Sequence, residues 1–296
     1  MPNTRPITES AGMTMQNKVV VVTGGTSGIG QVAAEALARQ GARIILIARD
    51  EARAAAALSK LEIYGPRAKH SIHIADLSSI KSTQRVGTEI AAAEDRIDVL
   101  INNAGAVFGR RELSPDGLEM SFAVNHMAYF TLTRALHDRL IETPGARIVN
   151  TASNAHESGN LDFDDLQSAK SYSNVRAYGT SKLCNVLFTR ELARRLEGSG
   201  ATANCLHPGF VATRFGSGAG GLIQIIAPVA KLFAVTPEQG ADTIIYLASA
   251  PDVASQTGLY FHKRKAIPPS AAAQDDTTAA RLWTVSEQIL SRALER

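Results

Sequence analysis

Val19-Val20-Val21-Val22-Thr23-Gly24-Gly25-Thr26-Ser27-Gly28-Ile29-Gly30 decides the fold. The run Val19 to Thr23 is β-branched throughout and has no polar alternation, which suits a strand covered on both faces, as in a parallel sheet. Glycines at 24, 28 and 30 then mark a tight turn into an alanine-rich helix expected to end near Gly41. Strand, glycine turn and helix in that order make the first half of a β-α-β unit.

The same alternation continues down the chain. Arg43 to Ala48 reads as a second strand, Asp50 to Leu61 as a helix, His70 to Ile74 as a third strand and Ile80 to Ala93 as a polar-faced helix. Ile97 to Ile101 gives a fourth strand, closed by Asn102-Asn103-Ala104-Gly105. A long helix is expected over Asp116 to Ile141, then a strand over Arg147 to Thr151 and a helix over Ala177 to Leu196. The strand Thr202 to Leu206 runs into the loop His207-Pro208-Gly209. Pro237 opens a helix reaching about Leu247, Gly258 to Phe261 fits a last strand, and Pro268 to Thr278 reads as a loop before a terminal amphipathic helix containing Trp283. Strands alternating with helices require right-handed crossovers, so the expected fold is an α/β doubly wound Rossmann fold rather than a closed barrel.

The 296 residues are 45% hydrophobic and 20% charged, enough for one sizeable core and too few for two independent catalytic domains. A formal charge of +3, dispersed along the chain, gives no reason to expect a nucleic-acid partner or a membrane surface. Cys184 and Cys205 are the only cysteines, which excludes a disulfide scaffold and points to a reducing, cytoplasmic compartment. Residues 1–16 are polar and lack an apolar stretch of signal-peptide length. They are expected to form a flexible leader ahead of a single domain at 17–296, without stable membrane insertion. Glycine and serine dominate Gly216 to Gly221, and Leu222 to Ala234 is apolar, interrupted by Pro228 and shorter than a membrane span. The segment from about 214 to 236 therefore reads either as a lid over a substrate or as packing surface.

The turn at Gly24, Thr26, Ser27, Gly28, Ile29 and Gly30 is suited to a dinucleotide: glycine permits the turn, lets backbone approach phosphate and relieves crowding between strand and helix. The helix that follows aims its first amides at the pyrophosphate. Arg49, at the end of the second strand, favours the 2′-phosphate of NADP(H) over the diol of NAD(H), unless it is simply solvated beside Asp50. Asp76 fits the adenine amino group with Leu77 against the ring, or else caps the next helix. Asn103, Ala104 and Gly105 form a polar loop at a strand's carboxyl end, where open sheets present their ligand crevice.

Tyr178 and Lys182 lie four residues apart, on one face if the stretch is helical, so the ammonium can favour ionisation of the phenol. Tyr178 can then give a proton to, or take one from, an alcohol oxygen, and Lys182 can also hold cofactor ribose hydroxyls. Ser153, just past the strand Arg147 to Thr151, is placed to orient that oxygen. Asn125 can organise a water path to Lys182. His207 reads as a loop histidine rather than a base, and no grouping of cysteine, histidine and acid suggests a metal.

These motifs, together with Pro208-Gly209, resemble those of the short-chain dehydrogenase/reductase superfamily over almost the whole chain after the leader. The resemblance implies an Asn-Ser-Tyr-Lys tetrad at Asn125, Ser153, Tyr178 and Lys182, a seven-stranded parallel sheet with helices on both faces, and assembly into homodimers or homotetramers. It also gives Pro208 and Gly209 the loop beside the nicotinamide, with Thr213 touching the cofactor's amide or phosphate. A narrower likeness, to the retinol-dehydrogenase and WW-domain-oxidoreductase branch, rests on His207-Pro208-Gly209 and four further stretches. They are Ala48-Arg49-Asp50, Tyr178 through Asn185, Thr236-Pro237-Glu238-Gln239-Gly240-Ala241 and Leu282-Trp283-Thr284-Val285-Ser286-Glu287. That branch implies NADP(H) and a small apolar alcohol or carbonyl substrate, whereas the polar leader departs from its membrane helix. Two alternatives stay open: reduction of a conjugated carbon–carbon double bond, and a dinucleotide-binding regulatory or scaffold protein without turnover.

Overall fold

The structure, a computed structural model, describes residues 15–209 and 235–296. Seven parallel strands form its sheet: β1 (Val19–Thr23), β2 (Arg43–Ala48), β3 (Ser71–Ile74), β4 (Val99–Asn102), β5 (Arg147–Thr151), β6 (Thr202–Leu206) and β7 (Tyr260–His262). An eighth strand, β8 (Lys265–Ile267), pairs antiparallel with β7, giving the order β3-β2-β1-β4-β5-β6-β7-β8. The expected seven-stranded parallel sheet is thus present and carries one additional antiparallel edge.

The apolar runs explain the layering. Within β1, Val19 and Val21 join the core on one face while Val20 and Val22 join the other; Ile45 and Ile47 against Ile44 and Leu46 repeat this in β2. Helices α1 (Gly28–Arg39) and α2 (Glu51–Tyr64) cover one face. Helix α3 (Ile80–Ala93) lies on the other. The region expected as one helix from Asp116 to Ile141 is divided. Gly117, at φ +77°, turns the chain, and Glu119 caps α4 (Met120–Phe122) by accepting from Ser121 and Phe122 amides. A π-helical turn (Ala123–Met127) leads into α5 (Ala128–Ala135), and the chain turns at Leu136 before α6 (His137–Glu142). After β5 come a 3-10 turn (Asn154–Ser158) and α7 (Asn174–Arg195); α8 (Pro237–Ser249) and α9 (Asp276–Glu295) complete the two layers.

The hairpin between β7 and β8 places Lys263 and Arg264 at φ +48° and +62°, the geometry of a tight two-residue turn. Arg264 sustains it by donating its amide to Thr243 Oγ1 at 3.2 Å and pairing with Asp242. The N-terminal boundary also differs from the expected leader of residues 1–16. Met15 is buried against the α1 face, its amide bonds Gln40 O at 3.0 Å, and the Gln16 side chain occupies the space beside Gly41. The packed domain therefore includes both residues, because the thioether has an apolar site to fill. Residues 1–14 of that leader, and nearly all of the expected lid, fall outside the described residues. Among the described residues no helix is long and apolar enough to cross a membrane.

Candidate active site

The C-terminal ends of the parallel strands converge on one edge of the sheet, with β1 and β4 adjacent and their connections running to opposite sides. That is the topological switch point at which open α/β sheets bind ligands. Gly24 and Gly28 adopt φ +67° and +56°, and a Cβ on Gly24 would come within 2.9 Å of Ala104 Cα. A Cβ on Gly30 would collide with the Gly24 carbonyl and the Asn103 amide. Thr23 Oγ1 accepts the amides of Asn103 at 2.9 Å and Ala104 at 3.0 Å, while Asn103 Nδ2 donates to Thr23 O at 3.2 Å. Asn103 therefore stitches its loop to the glycine turn.

Ser27 occupies the N-cap of α1 but makes no side-chain cap bond, and the first turn carries no acid. Its amides and positive dipole end are left for an anion. Thr26 and Ile29 are partly buried, and Ser27 is exposed at the same turn. Arg49 is exposed and pairs with no described residue; Asp50 instead caps α2, accepting from Arg53 N at 2.8 Å. Asp76 does not cap α3, a task performed by Ser79. Its Oδ1 takes the Ser78 amide and hydroxyl at 2.9 and 2.8 Å, and its other oxygen has no partner among the described residues. Leu77 lies beside it, partly buried. A dinucleotide fits this edge: a phosphate-sized cradle without Cβ atoms, an uncapped helix terminus, and a guanidinium and a carboxylate oxygen without partners among the described residues follow one another along it.

The expected catalytic side chains gather just past β5 and on α7. Lys182 is 2% exposed and donates from Nζ to Thr151 O at 2.9 Å, a carbonyl that also accepts Asn185 Nδ2 at 3.3 Å. Its ammonium sits 5.7 Å from the Tyr178 ring centroid and 5.8 Å from that of Tyr129. Burial pulls the Lys182 amine down to about 7. Burial likewise pushes the Tyr178 phenol up to about 12, and a hydrogen bond with Ser153 acts against it. In this cofactor-free state Tyr178 is therefore a neutral proton donor. Ser153 caps the 3-10 turn, its Oγ accepting from Ala155 N at 3.1 Å.

Asn125 sits in the π-helical turn, and its Oδ1 and Lys182 Nζ both flank Gly105, 3.1 and 3.4 Å from where a Cβ on that residue would stand. Oδ1 accepts from Ala106 N at 2.8 Å, and Nδ2 donates to Ala106 O and Ser181 Oγ, both at 3.0 Å. Both amide atoms thus join the β4–α4 loop to α7, one residue before Lys182. His207 is held neutral at about 4, chiefly by burial and then by His262 stacked at 3.9 Å; its Nδ1 accepts from Gly209 N at 3.1 Å. It is a loop histidine, and Pro208 and Gly209, the latter at φ +84°, follow at the sheet's edge. Thr213 lies outside the described residues.

Sequence reasoning missed four residues that shape the site. Tyr129 fills the space beside Lys182, and only its place four residues after Asn125 hinted at this. Gly159 and Gly179 let α7 approach the Ser153 turn, since a Cβ on Gly159 would stand 2.6 Å from Gly179 O. His156 buries its ring under Ser153; its signal was a histidine three residues beyond the hydroxyl.

The sequence model of the short chain dehydrogenase family matches residues 18–219. Human retinol dehydrogenase 13 is 40% identical over 285 residues, covering 94% of this chain and 86% of that protein. The crystal structure of an uncharacterized protein from Mycobacterium paratuberculosis superposes with a TM-score of 0.76 at 31% identity, covering 94% of this chain and 95% of that one. The Pseudomonas aeruginosa RhlG/NADP active-site complex gives a TM-score of 0.67 at 27% identity, covering 84% and 95%. The chain belongs to the short-chain dehydrogenase/reductase family.

Proposed function

We propose that the protein interconverts a secondary alcohol and a carbonyl on a small apolar substrate with NADP(H), as part of the retinol-dehydrogenase-like branch. The observation that carries this reading is the Tyr178 hydroxyl, hydrogen-bonded with Ser153 at the ligand edge above a buried Lys182. Solved relatives in complex with NADP or NADPH support the cofactor, and the exposed Arg49 supplies the charge that a 2′-phosphate needs. The likeness to human retinol dehydrogenase 13 supports an apolar alcohol as substrate.

NADP(H), when bound, supplies or takes up the hydride. The chain's own residues do the rest. The turn from Gly24 to Gly30 and the α1 terminus hold the pyrophosphate, Arg49 the 2′-phosphate, Asp76 and Leu77 the adenine. Lys182 holds ribose hydroxyls, and Asn103, Ala104, Gly105, Pro208 and Gly209 shape the nicotinamide side. Ser153 orients the substrate oxygen, and Tyr178 gives it a proton in reduction or removes one in oxidation. Lys182 gains charge as Tyr178 loses its proton, because the ammonium favours the phenolate. Asn125 holds Ser181, one residue before Lys182, and so keeps that part of α7 in register.

The test is a panel of apolar ketones, aldehydes and conjugated enones offered with NADPH carrying a labelled hydride, together with apolar alcohols labelled at the carbinol carbon and offered with NADP. Label on a carbinol carbon supports the proposal. Label on the β-carbon of an enone would replace it with double-bond reduction, and dinucleotide binding without transfer to any member would replace it with a regulatory role.

A further inference from the structure

His156 is 1% exposed, and both ring nitrogens are engaged at fixed partners. Nδ1 lies 2.7 Å from Ser153 O, and Nε2 lies 3.1 Å from Ser270 N. A carbonyl only accepts and a main-chain amide only donates, so both contacts select the same neutral ring, with its hydrogen on Nδ1. The ring also stands edge-on to Tyr260 of β7, centroids 4.9 Å apart. The Ser153 carbonyl takes a second bond from His156 N at 3.1 Å, so one residue grips it twice.

This grip matters because the Ser153 hydroxyl has a competing acceptor. Asn154 Oδ1 lies 3.4 Å from Ser153 Oγ, and Asn154 is exposed. A 3-10 turn of five residues resists such a swing weakly, since its i→i+3 bonds have poor geometry. We propose that His156 is a positioning residue: its Nδ1–H fixes the Ser153 main chain and so keeps the Ser153 hydroxyl on Tyr178, while Nε2 ties the turn to the segment entering α9. The inference rests on the assignment of Ser153 and Tyr178 to the reacting oxygen.

Two substitutions separate the ring's two bonds. Asn places a donor where Nδ1 stands and nothing at Nε2; Gln reaches the Nε2 position with an acceptor and leaves Nδ1 empty. Each variant loses one hydrogen bond and the ring's contact with Tyr260, so a merely structural role would lower kcat equally in both. The inference predicts that kcat of H156Q falls about tenfold below that of H156N, with KM for NADP(H) alike in both, since misplacing a reacting group acts on kcat. Equal kcat in the two, or a lower value in H156N, would overturn it. Nitrogen NMR of the wild-type protein is independent of variant folding: hydrogen on Nδ1 of His156 supports the inference, and hydrogen on Nε2 overturns it. Turnover that survives Tyr178→Phe unchanged would overturn the functional reading and the inference with it. Turnover that needs Tyr178 but is equal in the two His156 variants would overturn the inference alone.

Discussion

Lys182→Met removes an amine that burial has pulled from its ordinary 10.5 to about 7. The sign follows from which state binds more protons. Between about pH 7 and 10.5 the folded, cofactor-free protein holds Lys182 mostly neutral, whereas the unfolded chain protonates it, so stability rises with pH across that window. Below pH 7 both states are protonated and the cost of burying the cation is fully present. Taking the two pKa values, linkage gives a gain of about 2 kcal/mol between pH 7 and pH 9. Methionine has no such titration, and Thr151 O keeps Asn185 Nδ2 as a donor, so the variant leaves no orphaned carbonyl. Urea unfolding of both proteins at pH 7, 8 and 9, without cofactor, reads the difference. The stability gap between wild type and K182M should shift by about 2 kcal/mol in favour of wild type over those two units. A gap that stays constant would refute the claim that the ammonium is desolvated beneath Tyr178.

Arg49→Ala should weaken NADPH by roughly tenfold, about 1 to 2 kcal/mol for a charge-assisted contact, and leave NADH nearly unchanged, as read by calorimetry. Equal losses for both cofactors would remove the 2′-phosphate role. Gly30→Ala forces a methyl against Gly24 O and the Asn103 amide. Overpacking of about 1 to 3 kcal/mol should appear as lower thermal stability and weaker dinucleotide binding, and a variant that binds NADPH like wild type would show that the turn accommodates the methyl.

Much of this fold was legible because the parallel core obeys one rule. β1, β2, β5, β6 and α3 fall on the expected residues, since continuous β-branched runs and capped amphipathic helices carry their boundaries locally. The stretch from Asp116 to Ile141 was less legible. Its apolar spacing is helical almost throughout, while the breaks depend on Gly117 at positive φ and on a π-helical turn that periodicity does not report. β8 was hidden because Lys263-Arg264 lacks the glycine or asparagine such a hairpin ordinarily uses, and tertiary bonds from Thr243 and Asp242 hold it instead. Tyr178, Lys182 and Ser153 were read correctly as neighbours. Their protonation in the cofactor-free chain was less legible, because burial raises the phenol and lowers the amine, and burial is a property of the packed chain.

The central claim is that the Tyr178 hydroxyl exchanges a proton with the substrate oxygen during hydride transfer. Single-turnover transfer from labelled NADPH to an accepted carbonyl, in wild type and Tyr178→Phe, measures that step apart from substrate and product exchange. The account predicts that the rate of transfer drops by roughly a hundredfold to ten-thousandfold in the variant while NADPH binding is retained. A variant that transfers the label at the wild-type rate would contradict it.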